Sequence, residues 1–456
     1  MTHCIPSHPD GLIPRRLPAA ASDRLVYNLL GRSDENCTFV VEFSGCLSER
    51  RLQRVLRLVM DVEPVFGCRY VKSRMPYWER RDDLDRLELC DVSRSADIAT
   101  ELEHFVASGG TATKDPLLHA RIVRGESDTL FLRTNHVAAD AAGYKELLAL
   151  IAVLYRDCAA REPEVRPNLG SREKWQLFRQ VGWRQCLRIL RKRLPRAANP
   201  EWRFPMAPER DRGPRRFSLR RLEPGALGVM RRFAKQSGAT LNDIFIAACF
   251  RVLWRFLDFP CGIPQSIAVP ADLRQYLSDG KAEAIGNFSI PFPVTLERVP
   301  GEPLHETLHR VHAATSVERR KEQVLASELI SFVAHRFFPS RTEKAFAALE
   351  RDNWREGRTT VGFTNNGILA PEQMDFGVPV TDAYRILFAP ATPGLFWGVS
   401  SFQRRLTFAL TYFAGAFRSE DVEAFLDTFI EELPTEEFAG DTGYTVAAAH
   451  SASRGQ

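Results

Sequence analysis

Two hydrophobic periods run through this chain and alternate with one another. Cys37–Phe43 alternates and is rich in Val and Phe, which predicts a strand. Ser48–Asp61 sets Leu52, Val55, Leu56, Leu58 and Val59 on one helical side. Phe66–Val71 and Thr129–Thr134 read as further strands, and Tyr144–Asp157 as a strongly apolar helix. The second half repeats the mixture. Thr240 caps a predicted buried helix, Leu241–Leu257, with Asn242 and Asp243 in its first turn. Strands are predicted at Ser266–Val269, Ser289–Val294, Thr359–Phe363, Tyr384–Ala389, Gly398–Phe402 and Leu406–Phe413. Helices fit about Pro303–Lys321 and Ser419–Glu432. Between the halves, prolines 195, 200, 205, 208 and 214 stand too close for one continuous element. The expected plan is a loose stretch at 1–18, an N-terminal lobe at 19–160, a basic Pro/Arg-rich linker at 161–215 holding a helix Arg172–Leu194, a C-terminal lobe at 216–438 and a loose tail at 439–456.

The chain has 456 residues, 44% apolar and 26% charged, which excludes global disorder and fibrous repeats. The longest apolar run, Leu147–Tyr155, is less than half of the roughly 20 residues a bilayer crossing needs, and no basic-then-apolar leader opens the chain. Nine scattered cysteines without a Cys-x-x-Cys pair point to reduced thiols and a cytoplasmic protein. Net charge is only +5, yet Arg172–Arg196 holds nine basic residues against one acidic residue. That excess suits either a linker helix packed on its own protein or peripheral docking to an anionic membrane or an acidic carrier protein. No nucleic-acid-binding module accompanies it.

The sharpest chemical feature is Thr134-Asn135-His136-Val137-Ala138-Ala139-Asp140-Ala141-Ala142-Gly143. A histidine at a strand end, followed four residues later by an aspartate and a small-residue turn into a helix, sets an imidazole where a cleft can form. The same spacing also suits a structural histidine with a charge behind it. Four other segments accompany it: Asp115-Pro116-Leu117-Leu118-His119-Ala120-Arg121, Val269-Pro270-Ala271-Asp272-Leu273-Arg274, Ile285-Gly286-Asn287-Phe288 and Phe363-Thr364-Asn365-Asn366-Gly367. In order and spacing the five together resemble the superfamily of condensation domains and chloramphenicol acetyltransferase-like acyltransferases, near the wax ester synthases and polyketide-associated acyltransferases. The resemblance spans roughly residues 20–435.

That resemblance implies a two-lobed α/β fold with mixed sheets and a tunnel between the lobes. It implies acyl transfer from a thioester to an alcohol or amine, with His136 as general base. Asp140 would pair with Arg274 and support the site. Asn135, Ala141, Gly143, Asn287 and Asn366 are the candidates for substrate contact, although Thr364–Gly367 by itself reads as a turn. No cofactor would be bound permanently. The co-substrate would be acyl-CoA or a phosphopantetheine-linked thioester, the acceptor a small molecule, and an acyl or peptidyl carrier protein a candidate partner. Two positions depart from the superfamily signature His-His-x-x-x-Asp-Gly: Asn135 replaces the first His and Ala141 the Gly. Ala141 motivates an alternative, a condensation-like protein that binds without catalysis. A third reading, from another class, is a zinc hydrolase at His305-Glu306-Thr307-Leu308-His309, extended by His312.

Overall fold

The computed structural model describes residues 12–30, 35–159, 165–181, 188, 202–207 and 212–435. The strands are β1 (Arg16–Pro18), β2 (Asn36–Phe43), β3 (Cys68–Val71), β4 (Tyr77–Arg80), β5 (Cys90–Arg94), β6 (Leu118–Arg124), β7 (Asp128–Asn135), β8 (Arg215–Leu222), β9 (Pro264–Asp272), β10 (Ser289–Glu297), β11 (Thr360–Ile368), β12 (Val380–Ile386), β13 (Gly394–Phe402) and β14 (Arg405–Phe413). The helices are α1 (Ala21–Leu30), α2 (Glu49–Val62), α3 (Ile98–Ala107), α4 (Ala141–Asp157), α5 (Trp175–Val181), α6 (Pro224–Gln236), α7 (Leu241–Phe256), α8 (Leu304–Thr315), α9 (Val317–Phe337), α10 (Pro339–Glu356) and α11 (Ser419–Glu431).

Two large mixed sheets organise these elements. The first orders β12-β2-β7-β6-β5 and packs α2 and α4 against one face; the second orders β10-β9-β11-β13-β14-β8 and packs around α7 and α11. A small third sheet, β1-β4-β3, lies beside the first. The halves are interlocked, because β12 comes from the second half of the chain and pairs antiparallel with β2, Tyr384 opposite Val40. Within the second sheet, β9 and β11 meet at a single register point, Gly362 opposite Ala268. Glycine is required there, since a Cβ would stand 2.3 Å from the Phe396 ring. Beyond that point the two strands part, and the gap is where the cavity described below lies.

Local signals explain most elements. Ser48 accepts a hydrogen bond from the Arg51 N–H and starts α2. Thr240 and Asp243 form a reciprocal capping box at α7, worth about 1 kcal/mol. Buried on nearly every side, α7 reads as a continuous apolar block.

Several expectations are corrected. Phe66–Val71 is not one strand, for Pro64–Gly67 forms a 3-10 turn before β3. The helix expected at Pro303–Lys321 breaks at Ser316, whose ψ of 146° is extended, and α9 follows it. Thr364–Gly367 is not a turn, because β11 continues through it with a bulge between Asn365 and Gly367. Gly367 sits at φ 73°, which an L side chain rarely adopts. Of the stretch 1–18 expected to be loose, the described residues 12–18 include β1, while 1–11 and the tail from 439 lie outside the described residues. The basic helix is described only over Trp175–Val181, and all of its remainder but Arg188 lies outside the described residues.

The first charges of that basic run are not a solvated face. The Arg172 Nη2 donates to Asp23 (2.9 Å) and to the Ala138 carbonyl (2.7 Å). Lys174 is buried and pairs with buried Glu328 at 2.8 Å. No helix among the described residues is long and apolar enough to cross a membrane.

Candidate active site

A cavity of about 340 Å³ opens between the two sheets. Its lining includes the polar side chains of His136, Asp140 and Lys145, with Ala141, from the first lobe, Thr364 and Asn366 from β11 and Arg385 from β12. Its apolar wall comes from Leu25 and Leu29 of α1, Phe346 and Leu349 of α10, and Leu387, Phe388 and Phe396.

His136 follows the last residue of β7. Its backbone N–H donates to the Glu35 carbonyl at 2.6 Å. Its ring packs on Phe388 (centroids 4.9 Å apart) and Tyr144 (5.9 Å), and Nδ1 has no hydrogen-bond partner. Burial, and next the charge of Arg385, push the imidazole pKa down to about 4; the backbone carbonyls of His136 and Ala139 and the Asp140 carboxylate work against that shift. The ring is therefore neutral at physiological pH and able to accept a proton.

Asp140 caps α4, accepting from the Gly143 N–H at 2.9 Å. Its other carboxylate oxygen accepts from Arg274 Nη1 (3.0 Å) and the Phe288 N–H (2.6 Å). Burial by itself would raise this carboxyl, but the Arg274 charge and these donors hold it below the usual carboxylate range. Arg274 follows β9 in the 3-10 turn Leu273–Tyr276 and also donates to Asp272 (3.2 Å) and to the Gly286 carbonyl (3.1 Å). The arginine thus joins the His136–Asp140 turn of one lobe to Asp272 and Gly286 of the other.

The remaining candidates divide into two groups. Ala141 and Asn366 border the cavity. Asn366 is the extra residue of the β11 bulge, and its amide is taken up: Oδ1 accepts from Arg385 (3.2 Å) and Nδ2 donates to Ser400 (3.4 Å). Asn135, Gly143 and Asn287 are not among the residues lining the cavity. Asn135 accepts from the Val137 N–H (3.0 Å) and donates to buried Glu35 (2.8 Å), fixing the turn before Asp140. Asn287 donates to the Val137 carbonyl at 2.8 Å. Gly143 makes room for the other lobe, since a Cβ there would stand 3.1 Å from the Gly286 carbonyl oxygen.

The His-Glu-x-x-His segment begins α8, with His305 and His309 exposed. His312 is engaged elsewhere, its Nδ1 lying 2.9 Å from the Asp243 carboxylate of the capping box. Among the described residues no three His, Cys, Asp or Glu side chains are grouped to hold a metal ion.

This architecture recurs in solved structures. The trichothecene 15-O-acetyltransferase TRI3 of Fusarium sporotrichioides superposes with a TM-score of 0.68 over 92% of this chain and 94% of its own, at 13% identity. The first condensation domain of the calcium-dependent antibiotic synthetase gives 0.62 over 92% and 98%, at 15% identity. Polyketide synthase associated protein 5 of Mycobacterium tuberculosis gives 0.60 over 92% and 97%, at 16% identity. This chain has the condensation-domain fold.

No family model matches the condensation-fold chain. At the sequence level it is 25% identical, over 299 residues, to a Mycobacterium tuberculosis protein carrying the provisional name diacylglycerol O-acyltransferase, matched from two strains. The match covers 56% of this chain and 61% of that relative's length.

Arg385, Lys145, Tyr144 and the α1 wall were not foreseen from sequence. One signal was available for Arg385: it is the sole charge in the apolar stretch Tyr384–Ala389. For α1 no signal was available, because its apolar face is covered by elements hundreds of residues away.

Proposed function

We propose that the protein moves an acyl group from a thioester, on CoA or a carrier protein, to an alcohol or amine, with His136 as general base. One observation carries this reading: a neutral imidazole borders a largely apolar cavity at the lobe boundary, while Asp140 beside it is committed to Arg274. The acceptor O–H or N–H gives its proton to His136 as the heteroatom attacks the thioester carbonyl. The tetrahedral intermediate then expels the thiolate, which takes the proton back from the imidazolium. The apolar wall of α1 and α10 suits an acyl chain. The names of the Fusarium and mycobacterial relatives both describe O-acyl transfer, which favours an alcohol acceptor.

Free thiol release from acyl-CoA, followed with alcohol and amine acceptors, tests the proposal. His136→Ala should lower the rate by ~10²–10⁴-fold, the usual contribution of a positioned base, without shifting the melting temperature downward by more than a few degrees. A variant that turns over at the wild-type rate would remove His136 from the role. Binding without catalysis, the second reading, draws on Ala141, whose methyl borders the cavity where the superfamily signature has glycine. Saturable acyl-CoA binding with no thiol release from any acceptor would select it.

A further inference from the structure

Arg385 lies on β12 at a position where strand alternation calls for an apolar side chain. Its neighbours Tyr384 and Ile386 face the cluster around α3, whereas Arg385 shares the face of Ala383 against α4. There its guanidinium packs 5.0 Å from the Tyr144 ring centre and 6.0 Å from that of Phe39, and the residue is buried. Isoleucine would fill this place without burying a charge.

The charge is also poorly matched. Nη1 donates to the Asn366 amide oxygen (3.2 Å) and Nη2 to the Cys37 sulfur (3.1 Å), while Nε–H has no acceptor among the described residues. No carboxylate among the described residues comes within 4 Å. Buried Arg24 also lacks a carboxylate contact, but it spends its Nη donors on backbone carbonyls; Arg385 has none of those. Moreover, Arg385 borders the cavity, and His136 packs on the same Tyr144 ring. Lys145, the next residue along α4, borders the cavity too and has no carboxylate within 4 Å among the described residues. Of the cavity-lining carboxylates, Asp140 and Asp272 are already held by Arg274 and Glu350 by Arg212. On the Arg385 side of His136 the cavity lining therefore carries positive charge with no carboxylate within 4 Å of it among the described residues.

We infer that Arg385 is a specificity-determining residue that binds the carboxylate of an anionic acceptor, a hydroxy acid or amino acid whose nucleophile lies a few atoms away. The inference rests on the acyl-transfer reading above. A permanent anion explains the residue better than a transient oxyanion does. A neutral amide or hydroxyl donor could serve the oxyanion without burying a charge in the resting protein, whereas a carboxylate brought by substrate offsets that charge whenever the site is filled.

The test compares hydroxy acids of graded chain length with their own primary amides, using acyl-CoA and free thiol release. The wild type should show a KM roughly 10–100-fold lower for each acid than for its amide, the scale of a charge-assisted hydrogen bond. Arg385→Gln should erase that preference with the loss falling on KM for the acid, and Arg385→Lys should keep part of it. Equal use of acid and amide by the wild type overturns the inference. So does an Arg385→Gln variant whose kcat falls alike for both, the mark of an oxyanion donor. If Arg385→Gln does not fold, the wild type and Arg385→Lys decide alone. A binding arm separates this inference from the acyl-transfer reading: 3-phenylpropionate should raise the melting temperature of the wild type more than 3-phenylpropanamide does. If no acceptor yields thiol, acyl transfer fails, and that melting difference still decides whether the site takes a carboxylate.

Discussion

Two buried arginines act on the His136–Asp140 turn, equally hidden and differently neutralised. Arg274 is 4% exposed and Arg385 is 3% exposed. Arg274 has Asp140 at 3.0 Å, Asp272 at 3.2 Å and Glu146 at 3.4 Å, all from its own chain. Arg385 has an amide oxygen and a sulfur. Burying a guanidinium is costly unless a counter-ion comes with it. Where the protein supplies the carboxylates, the result is a structural rivet between lobes. Where it supplies none and the charge borders a cavity, the missing anion belongs to what enters. On His136, Arg385 and the Asp140 carboxylate held by Arg274 act on the ring pKa with opposite sign.

The comparison breaks most visibly at Asp140. Asp140→Ala removes the one fully buried carboxylate of the three that face Arg274 and should cost about 3–5 kcal/mol by denaturant unfolding. Adding Arg274→Met should recover part of the loss, because the under-neutralised ion goes with it. Unchanged unfolding of the single variant would mean that the pair does not support the turn.

The pH dependence of kcat/KM is the next largest effect. The base works only when neutral, and its folded pKa is near 4, so activity should stay level as pH falls through the ordinary histidine value of ~6.5 and bend near pH 4. Arg385→Met removes a neighbouring positive charge and should move that bend upward. Over the same range the unfolded chain takes up a proton that folded His136 refuses. Melting temperature should therefore decline from pH ~6.5 towards 4, and His136→Ala should blunt the decline. A wild-type bend at 6.5 would show that Arg385 and burial do not act on the ring.

Arg385→Met itself should leave stability within about 1 kcal/mol of wild type or raise it, since no carboxylate is left unpaired. A cost of 3 kcal/mol or more would show that its amide and thiol partners suffice and would erase the contrast with Arg274. The smallest effect is expected at Ala141. Ala141→Gly removes a methyl from the cavity edge at the first position of α4 and should cost less than about 1 kcal/mol. It should also raise turnover for larger acceptors; a graded series with no gain would assign the methyl to packing alone.

The sequence by itself determined the α/β alternation, the caps at Ser48 and Thr240, and the histidine that closes a strand ahead of a helix. These are legible because periodicity and capping act within one or two turns of chain. The order of motifs around His136 also sufficed for the fold and for the partners Asp140 and Arg274, 134 residues apart yet in direct contact. Tertiary structure decided the rest. It made Asn135, Asn287 and Gly143 supports of the turn, because what each side chain or missing Cβ meets, Glu35, the Val137 carbonyl and the Gly286 carbonyl, lies on a chain segment far off in sequence. The break at Ser316 and the bulge at Asn366 were likewise hidden, since tertiary packing overrides local propensity there. The value of Arg385 emerged last, for an unpaired charge is a statement about every neighbour at once. Cys37, Tyr144 and Asn366 come from three distant stretches, and only their convergence on one guanidinium reveals that no carboxylate among the described residues is there.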